Sequence, residues 1–347
     1  DHRDLHSFPT RRSSDLILTE KIRRIKNEYD AVKKSAGLFD VSCIGKIEIK
    51  GADAFSFIQK LVTNDISHLS NNEGLHTLMC YPYGAVMESM ILYKFGEGHY
   101  LFVINSGNIE KTFKWIINRK RYQNLSIINI TGSLYQLAVH GPKSVKILQK
   151  LTETNLNKIE RFTFMEDVIV DNKSCMLSRM GCVGVDGFEI YTSWENGKDI
   201  CRKILNEGEQ EGIKFVGAET RDVLRHEAHL LFGDELEDIT PLEAGFADYI
   251  KFDKDDFIGK SALLKQSSKG ITKKVVSLQL NEKGSIPTPG AGIFANDKKV
   301  GTVTSWHFSP RKGTGVGVAV LELKYANKGT KVFVKDTNEL VEAKIIV

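Results

Sequence analysis

Residues 86–104 read VMESMILYKFGEGHYLFVI, two runs of β-forming residues, 86–94 and 99–104, on either side of Phe95-Gly96-Glu97-Gly98. Gly-rich turns of this length between apolar runs are hairpin chemistry, so the two strands are predicted to lie antiparallel. Upstream, KIEIK (Lys46 to Lys50) alternates as a half-buried strand does. Gly51 then turns the chain into a helix with Ala54, Phe57, Ile58 and Leu61 on one face. Downstream, Ser106 or Asn108 is placed to cap a helix carrying Ile109, Phe113, Ile116 and Ile117. A strand from Leu134 to His140 meets Gly141-Pro142, and Pro142 is pre-set for the first position of a helix bearing Val145 and Leu148. Strands and helices that alternate with hairpins among them predict α+β sheets of ferredoxin-like type over a doubly wound parallel sheet.

Nearer the start, Ile22, Ile25, Tyr29, Val32 and Ala36 recur at helical spacing, which predicts a helix over 19–36 stopped by Gly37. Residues 1–16, DHRDLHSFPTRRSSDL, show no helical or strand period and resemble a translated sequencing adapter, so they are set apart from the fold. A short basic targeting peptide is the rival reading. From about residue 272 the chain becomes a series of short β runs (VVSLQL, KVGTVTSW, VGVAVLEL, EAKIIV) cut by Gly, Pro, Asn and Asp, which predicts a separate all-β barrel or sandwich. The expected division is 1–16 outside the fold, 17–50 with 138–271 as a first α+β domain, 51–137 inserted as a second, and 272–347 as the barrel.

The formal charge of +4, from 48 basic against 44 acidic residues, gives no reason to invoke nucleic acid or an anionic membrane. Five scattered cysteines without a C-x-x-C pair argue against a zinc or redox dithiol site and suit a reducing, cytoplasmic compartment. No apolar run is long enough to span a bilayer.

Several segments, taken in order, resemble the aminomethyltransferase family of glycine cleavage T-proteins. They include AGLFDVS (36–42), LVTNDIS (61–67), FVINSGNIEK (102–111), HGPK (140–143), DGFEIY (186–191), ETRDVLRHEA (219–228), TPLEAGF (240–246), DFIGKSAL (256–263) and VGTVTSWHFSP (300–310). The resemblance implies a three-domain cloverleaf, two α+β units and a β-barrel, around a central cavity that holds tetrahydrofolate.

It also implies roles for residues. Glu189 matches the glutamate that accepts the N–H donors of the pterin edge, a task that needs a carboxylate; read alone it is a strand carboxylate. Arg221 matches an arginine of the folate site, suited to pairing with a carboxylate such as the glutamate tail. By spacing alone, Arg221 and Arg225 are the basic face of a helix. Asn105 matches a cavity asparagine, although locally it is a turn residue before a helix. In VMESMILYK the family has two adjacent aspartates, the second thought to orient folate and assist proton transfer; Glu88 stands at the first and Ser89 at the second. Serine cannot serve as a carboxylate base. Alternation predicts that Glu88 faces away from the cavity if Ser89 faces in, unless a bulge re-aims it. The family's G-Y-T-G-E-D-G also departs here, as Gly181-Cys182-Val183-Gly184-Val185-Asp186-Gly187.

Other patterns are weaker. His226-Glu227-Ala228-His229 is one residue short of a zincin motif. Gly313-Thr314-Gly315-Val316-Gly317 opens a β run, so it reads as a strand-entry turn and not a dinucleotide loop. Trp306 and Phe308 suit barrel packing or stacking. The resemblance implies an enzyme that moves an aminomethyl group from a lipoyl carrier (H-protein) to tetrahydrofolate, releasing ammonia. Alternatives are a folate-dependent demethylase acting on a small methylated substrate, whose transfer needs no ammonia departure and so tolerates Ser89, and a non-catalytic folate-binding protein.

Overall fold

In the computed structural model the structure describes residues 11–121, 124–181, 183–281, 287–336 and 339–347. Three β bodies make up the molecule. The first is a six-stranded sheet whose strands include Gly37–Asp40, Tyr135–His140, Lys173–Ser178 and Gly187–Thr192. It is antiparallel except where Lys214–Phe215 runs parallel to Gly37–Asp40. The second is a five-stranded antiparallel sheet that contains the hairpin Val86–Gly96 and His99–Ile104 together with Gly45–Lys50, Glu73–Cys80 and Ser126–Asn129. The third, from Lys273 to Ile345, is a closed six-stranded barrel.

The predicted hairpin forms, and Gly98 explains its sharpness. Gly98 has φ +69°, and a Cβ there would stand 2.6 Å from the Gly51 carbonyl oxygen, so only glycine lets the turn close against the end of the neighbouring strand Gly45–Lys50. In the barrel, a Cβ on Gly317 would fall 1.9 Å from the Trp306 ring, which lies in the barrel interior. Trp306 is therefore a packing residue. Gly313, at φ +65°, turns the chain into the strand Thr314–Glu322, as the strand-entry reading requires.

Four local expectations change. The first helix runs from Arg11 to Lys34, so it takes in the last part of the adapter-like segment, whose residues 1–10 lie outside the described residues. Gly45–Lys50 is hydrogen-bonded to His99–Ile104 and Ser126–Asn129, and Tyr135–His140 belongs to the first sheet. The inserted sheet thus spans 45–129, where 51–137 was expected, because ladder partners and not the nearest glycine decide which body a strand joins. Asn108 stands at the cap of Ile109–Ile117 without bonding its backbone by the side chain. Pro142 precedes the cap of the short helix Ser144–Leu148 and does not open it.

The bodies are joined pairwise. Tyr93, Leu101 and Val103 of the five-stranded sheet pack against Phe39, Ala138 and Tyr191 of the six-stranded one. The helix Ala218–Glu227 packs on both the first helix and the barrel. Leu231, Leu236 and Ile239 join Leu78 and Val86 to Val275 and Val318 of the barrel. Among the described residues no helix is long and apolar enough to cross a membrane.

Candidate functional site

Strand alternation places Glu189 and Tyr191 on the same face of Gly187–Thr192, and Gln136 lies opposite Tyr191 in the neighbouring strand. The Tyr191 hydroxyl donates to Glu189 Oε2 at 2.6 Å and Gln136 Nε2 donates to the same oxygen at 3.1 Å. Glu189 is 5% exposed. Burial raises its pKa, against the stabilising pull of Tyr191, the Arg221 guanidinium, Gln136 and Lys46. Arg221 thus acts on Glu189 across the gap from its own helix, and its Nε is buried without a hydrogen-bond partner. Gln136 Oε1 is likewise buried and unpartnered. Lys46, fully buried, donates to the Ser42 carbonyl at 2.9 Å; burial lowers its pKa to about 8, with Cys43, Glu189 and Asp40 pulling it back up. The structure therefore places Arg221 within electrostatic reach of Glu189. Sequence reading singles out none of Lys46, Gln136 or Tyr191; the one signal available for Tyr191 is its i+2 spacing from Glu189. A cavity of about 350 Å³ has Glu48, His99, Cys175 and Tyr191 among its walls, but not Glu189 or Arg221.

Glu88, Ser89 and Asn105 form a second group. Ile91 and Tyr93 face the first sheet while Met90 and Leu92 face the sheet's own helices. The extra residue in the ladder falls at Met87, since Cys80 pairs with Val86 and Met79 with Glu88. Glu88 and Ser89 lie beyond it with their side chains bonded to different partners, Thr112 and His76, yet both line one small cavity. The Glu88 carboxylate accepts from Thr112 Oγ1 at 3.1 Å and from the Ser89 backbone N–H at 3.1 Å, with Asn108 and the Asn105 backbone also bonding it. Ser89 Oγ lies 2.8 Å from His76 Nε2 on the neighbouring strand. Asn105 stands by Gly233, where a Cβ would come within 2.6 Å of its Nδ2. Glu88, Ser89, Asn108, Lys111 and Gly233 line a cavity of about 160 Å³.

Glu88 is 1% exposed, and burial pushes its pKa to about 7 in spite of the hydrogen bonds from Asn108 and Thr112. The sign of its effect on stability follows from the raised value. Below its ordinary 4.5 both folded and unfolded chains hold the proton and the stabilising contribution is complete; it is lost as pH rises through about 7. Glu88→Gln, uncharged throughout, is expected to gain thermal stability over the wild type as pH is raised from about 5 to about 8. A melting-temperature difference that stays flat across that range would contradict the buried, late-titrating carboxyl.

The short zincin-like pattern is taken up by structure. His226 Nε2 meets Glu235 Oε1 at 2.5 Å and Ser305 Oγ at 2.7 Å, while His229 pairs with Ser277 at 2.8 Å. Among the described residues no group of His, Cys, Asp or Glu is arranged to hold a metal. Cys43, Cys80, Cys175 and Cys201 are free thiols, and Cys182, one of the residues in the altered glycine-rich motif, lies outside the described residues.

Comparison with known proteins agrees with this architecture. Residues 7–254 match the family model of the GCVT N-terminal domain, and 273–347 match that of the glycine cleavage T-protein C-terminal barrel domain. The chain is 42% identical over 331 residues to a protein named aminomethyltransferase from a Thermoanaerobacter species, covering 95% of this chain and 90% of that one. It is 44% identical over 324 residues to an aminomethyltransferase of Caldanaerobacter subterraneus, covering 93% and 86%. The crystal structure of the glycine cleavage system aminomethyltransferase T from Bartonella henselae superposes with a TM-score of 0.84 at 24% identity, covering 93% of this chain and 88% of that one, which shows the shared fold. By sequence and by fold alike, the chain belongs to the aminomethyltransferase family of glycine cleavage T-proteins.

Proposed function

We propose that this enzyme transfers an aminomethyl group from the lipoyl arm of a carrier protein (H-protein) to tetrahydrofolate, with release of ammonia. The observation that carries the reading is Glu189: a carboxylate buried between two sheets, held by Tyr191 and Gln136 on one oxygen and facing Arg221. A buried carboxylate so fixed suits a ligand that presents paired N–H donors, as the aminopyrimidinone edge of a pterin does. The unpartnered Gln136 Oε1 can accept from such a ligand and Arg221 Nε can donate to an oxygen of it, since buried polar atoms left open are costly unless something bonds them.

In this reading Glu189 orients the pterin through its second oxygen, Arg221 attracts the ligand's negative charge, and Asn105 lines the approach. Tetrahydrofolate, when bound, supplies the nitrogen that takes the methylene. Glu88, with a pKa near the working pH, is the carboxyl available to hold or give up a proton at the cavity wall, while Ser89 offers a hydroxyl. Much of the acceleration would come from holding the reacting groups together, which is worth several powers of ten when geometry is right.

The test is turnover. The purified chain, given an aminomethyl-loaded lipoyl carrier and tetrahydrofolate, should yield methylenetetrahydrofolate and ammonia. Methyltetrahydrofolate formed from a small methylated donor, with no carrier present, would point to the demethylase reading; folate binding with no turnover in either assay would point to a non-catalytic folate-binding protein.

A further inference from the structure

His76 is a half-buried residue to which nothing in the proposed chemistry yet gives a role. Its ring is wedged edge-on against Phe246 and Tyr249, with centroids 6.1 and 4.5 Å away. Nε2 lies 2.8 Å from Ser89 Oγ, and Nδ1 is buried with no hydrogen-bond partner. Burial lowers its pKa to about 4, so near neutral pH the ring is uncharged and carries a single N–H.

Where that proton sits follows from the environment. With the proton on Nδ1, an N–H donor would be stranded in an apolar pocket, and orphaned buried N–H groups are rarer than under-satisfied acceptors. With the proton on Nε2, it is donated to Ser89 Oγ and only a bare lone pair is left at Nδ1. The hydroxyl of Ser89, its oxygen already engaged, then has its own proton to give.

Ser89 shares its strand face with Ile91 and Tyr93, and Tyr93 packs against Tyr191, the residue that holds Glu189. Four residues along a strand is roughly 13 Å, the scale of a bound pterin and the group it receives. We infer that His76 is a positioning residue for the transfer: by holding the oxygen of Ser89 it makes that hydroxyl a hydrogen-bond donor to a lone-pair-bearing nitrogen of the one-carbon substrate. The site thus presents a donor where the resemblance leads one to expect a carboxylate acceptor. The inference rests on the aminomethyl-transfer reading.

Nitrogen-15 NMR of the ligand-free protein tests the tautomer directly. A proton on Nε2 of His76 is expected, and a proton on Nδ1 would overturn the inference. Kinetics with the loaded lipoyl carrier test the coupling. His76→Leu and Ser89→Ala should each lower kcat by about tenfold, the worth of one hydrogen bond, with the tetrahydrofolate KM little changed. The double variant should lose no more than either single one, and His76→Gln, whose amide can still donate to Ser89, should recover most of the rate. Additive losses, or a His76→Leu enzyme as fast as wild type, would refute the role. Calorimetry with tetrahydrofolate separates the two levels: wild-type protein that binds none sinks the underlying reading, whereas normal binding with uncoupled variants sinks only this inference.

Discussion

Replacing Glu189 by glutamine is expected to weaken tetrahydrofolate binding by roughly a hundredfold or more, while leaving the ligand-free protein as stable as before or more so. The two halves of this result have one cause. A buried carboxylate carries a desolvation cost, seen here as a raised pKa, and in the free protein Tyr191, Gln136, Arg221 and Lys46 offset it only in part. The amide has nearly the same shape and no charge, so the empty pocket does not suffer. The ligand does: the N–H that would meet the open carboxylate oxygen now meets another N–H, and a hydrogen bond to a charged partner is worth about 1.5–3 kcal/mol. Isothermal calorimetry gives the affinity and thermal melting gives the stability. A Glu189→Gln protein that binds tetrahydrofolate as the wild type does would remove the carboxylate from the binding site.

The largest loss of stability is expected at a different buried acid. Glu235 is 4% exposed and accepts from Arg225 Nη1 at 2.8 Å, from the Phe232 backbone N–H at 3.0 Å and from His226. His226 in turn contacts Ser305 of the barrel, so one carboxylate ties the helix Ala218–Glu227, the segment after it and the barrel together. Burial alone would raise its pKa, but the hydrogen bonds from His226 and Arg225 and the arginine's charge hold it far below the usual carboxylate range. Glu235→Ala leaves the mostly buried Arg225 without its main counter-charge, which costs about 3–5 kcal/mol in comparable buried pairs. The pH sign runs opposite to that of Glu88. A depressed pKa gives stability that is present above the unfolded value of 4.5 and is lost as pH falls below it, so the wild type should lose this contribution in acid and Glu235→Gln should not. Urea melts at neutral and acid pH measure both effects. Equal stability of wild type and Glu235→Ala at neutral pH would show that the network contributes nothing net.

The sequence by itself determined the kinds of element and their order. Hairpin chemistry at 95–98, the apolar face of Ala54, Phe57, Ile58 and Leu61, and the run of short β segments after 272 are local signals, legible because turn preference and side-chain period act over a few residues. Strand alternation likewise gives Glu88 and Ser89 different hydrogen-bond partners, although both line the same cavity. Only the tertiary structure decided which body each strand joins and which groups meet. Gly45–Lys50 went to the inserted sheet through ladder bonds to residues some fifty to eighty positions away in the chain. Gln136 became a holder of Glu189, beside the same-strand Tyr191, and His76 the partner of Ser89, because antiparallel register set their strands side by side. Such pairings depend on long-range register and burial, which leave no mark on the short stretch of chain around either partner.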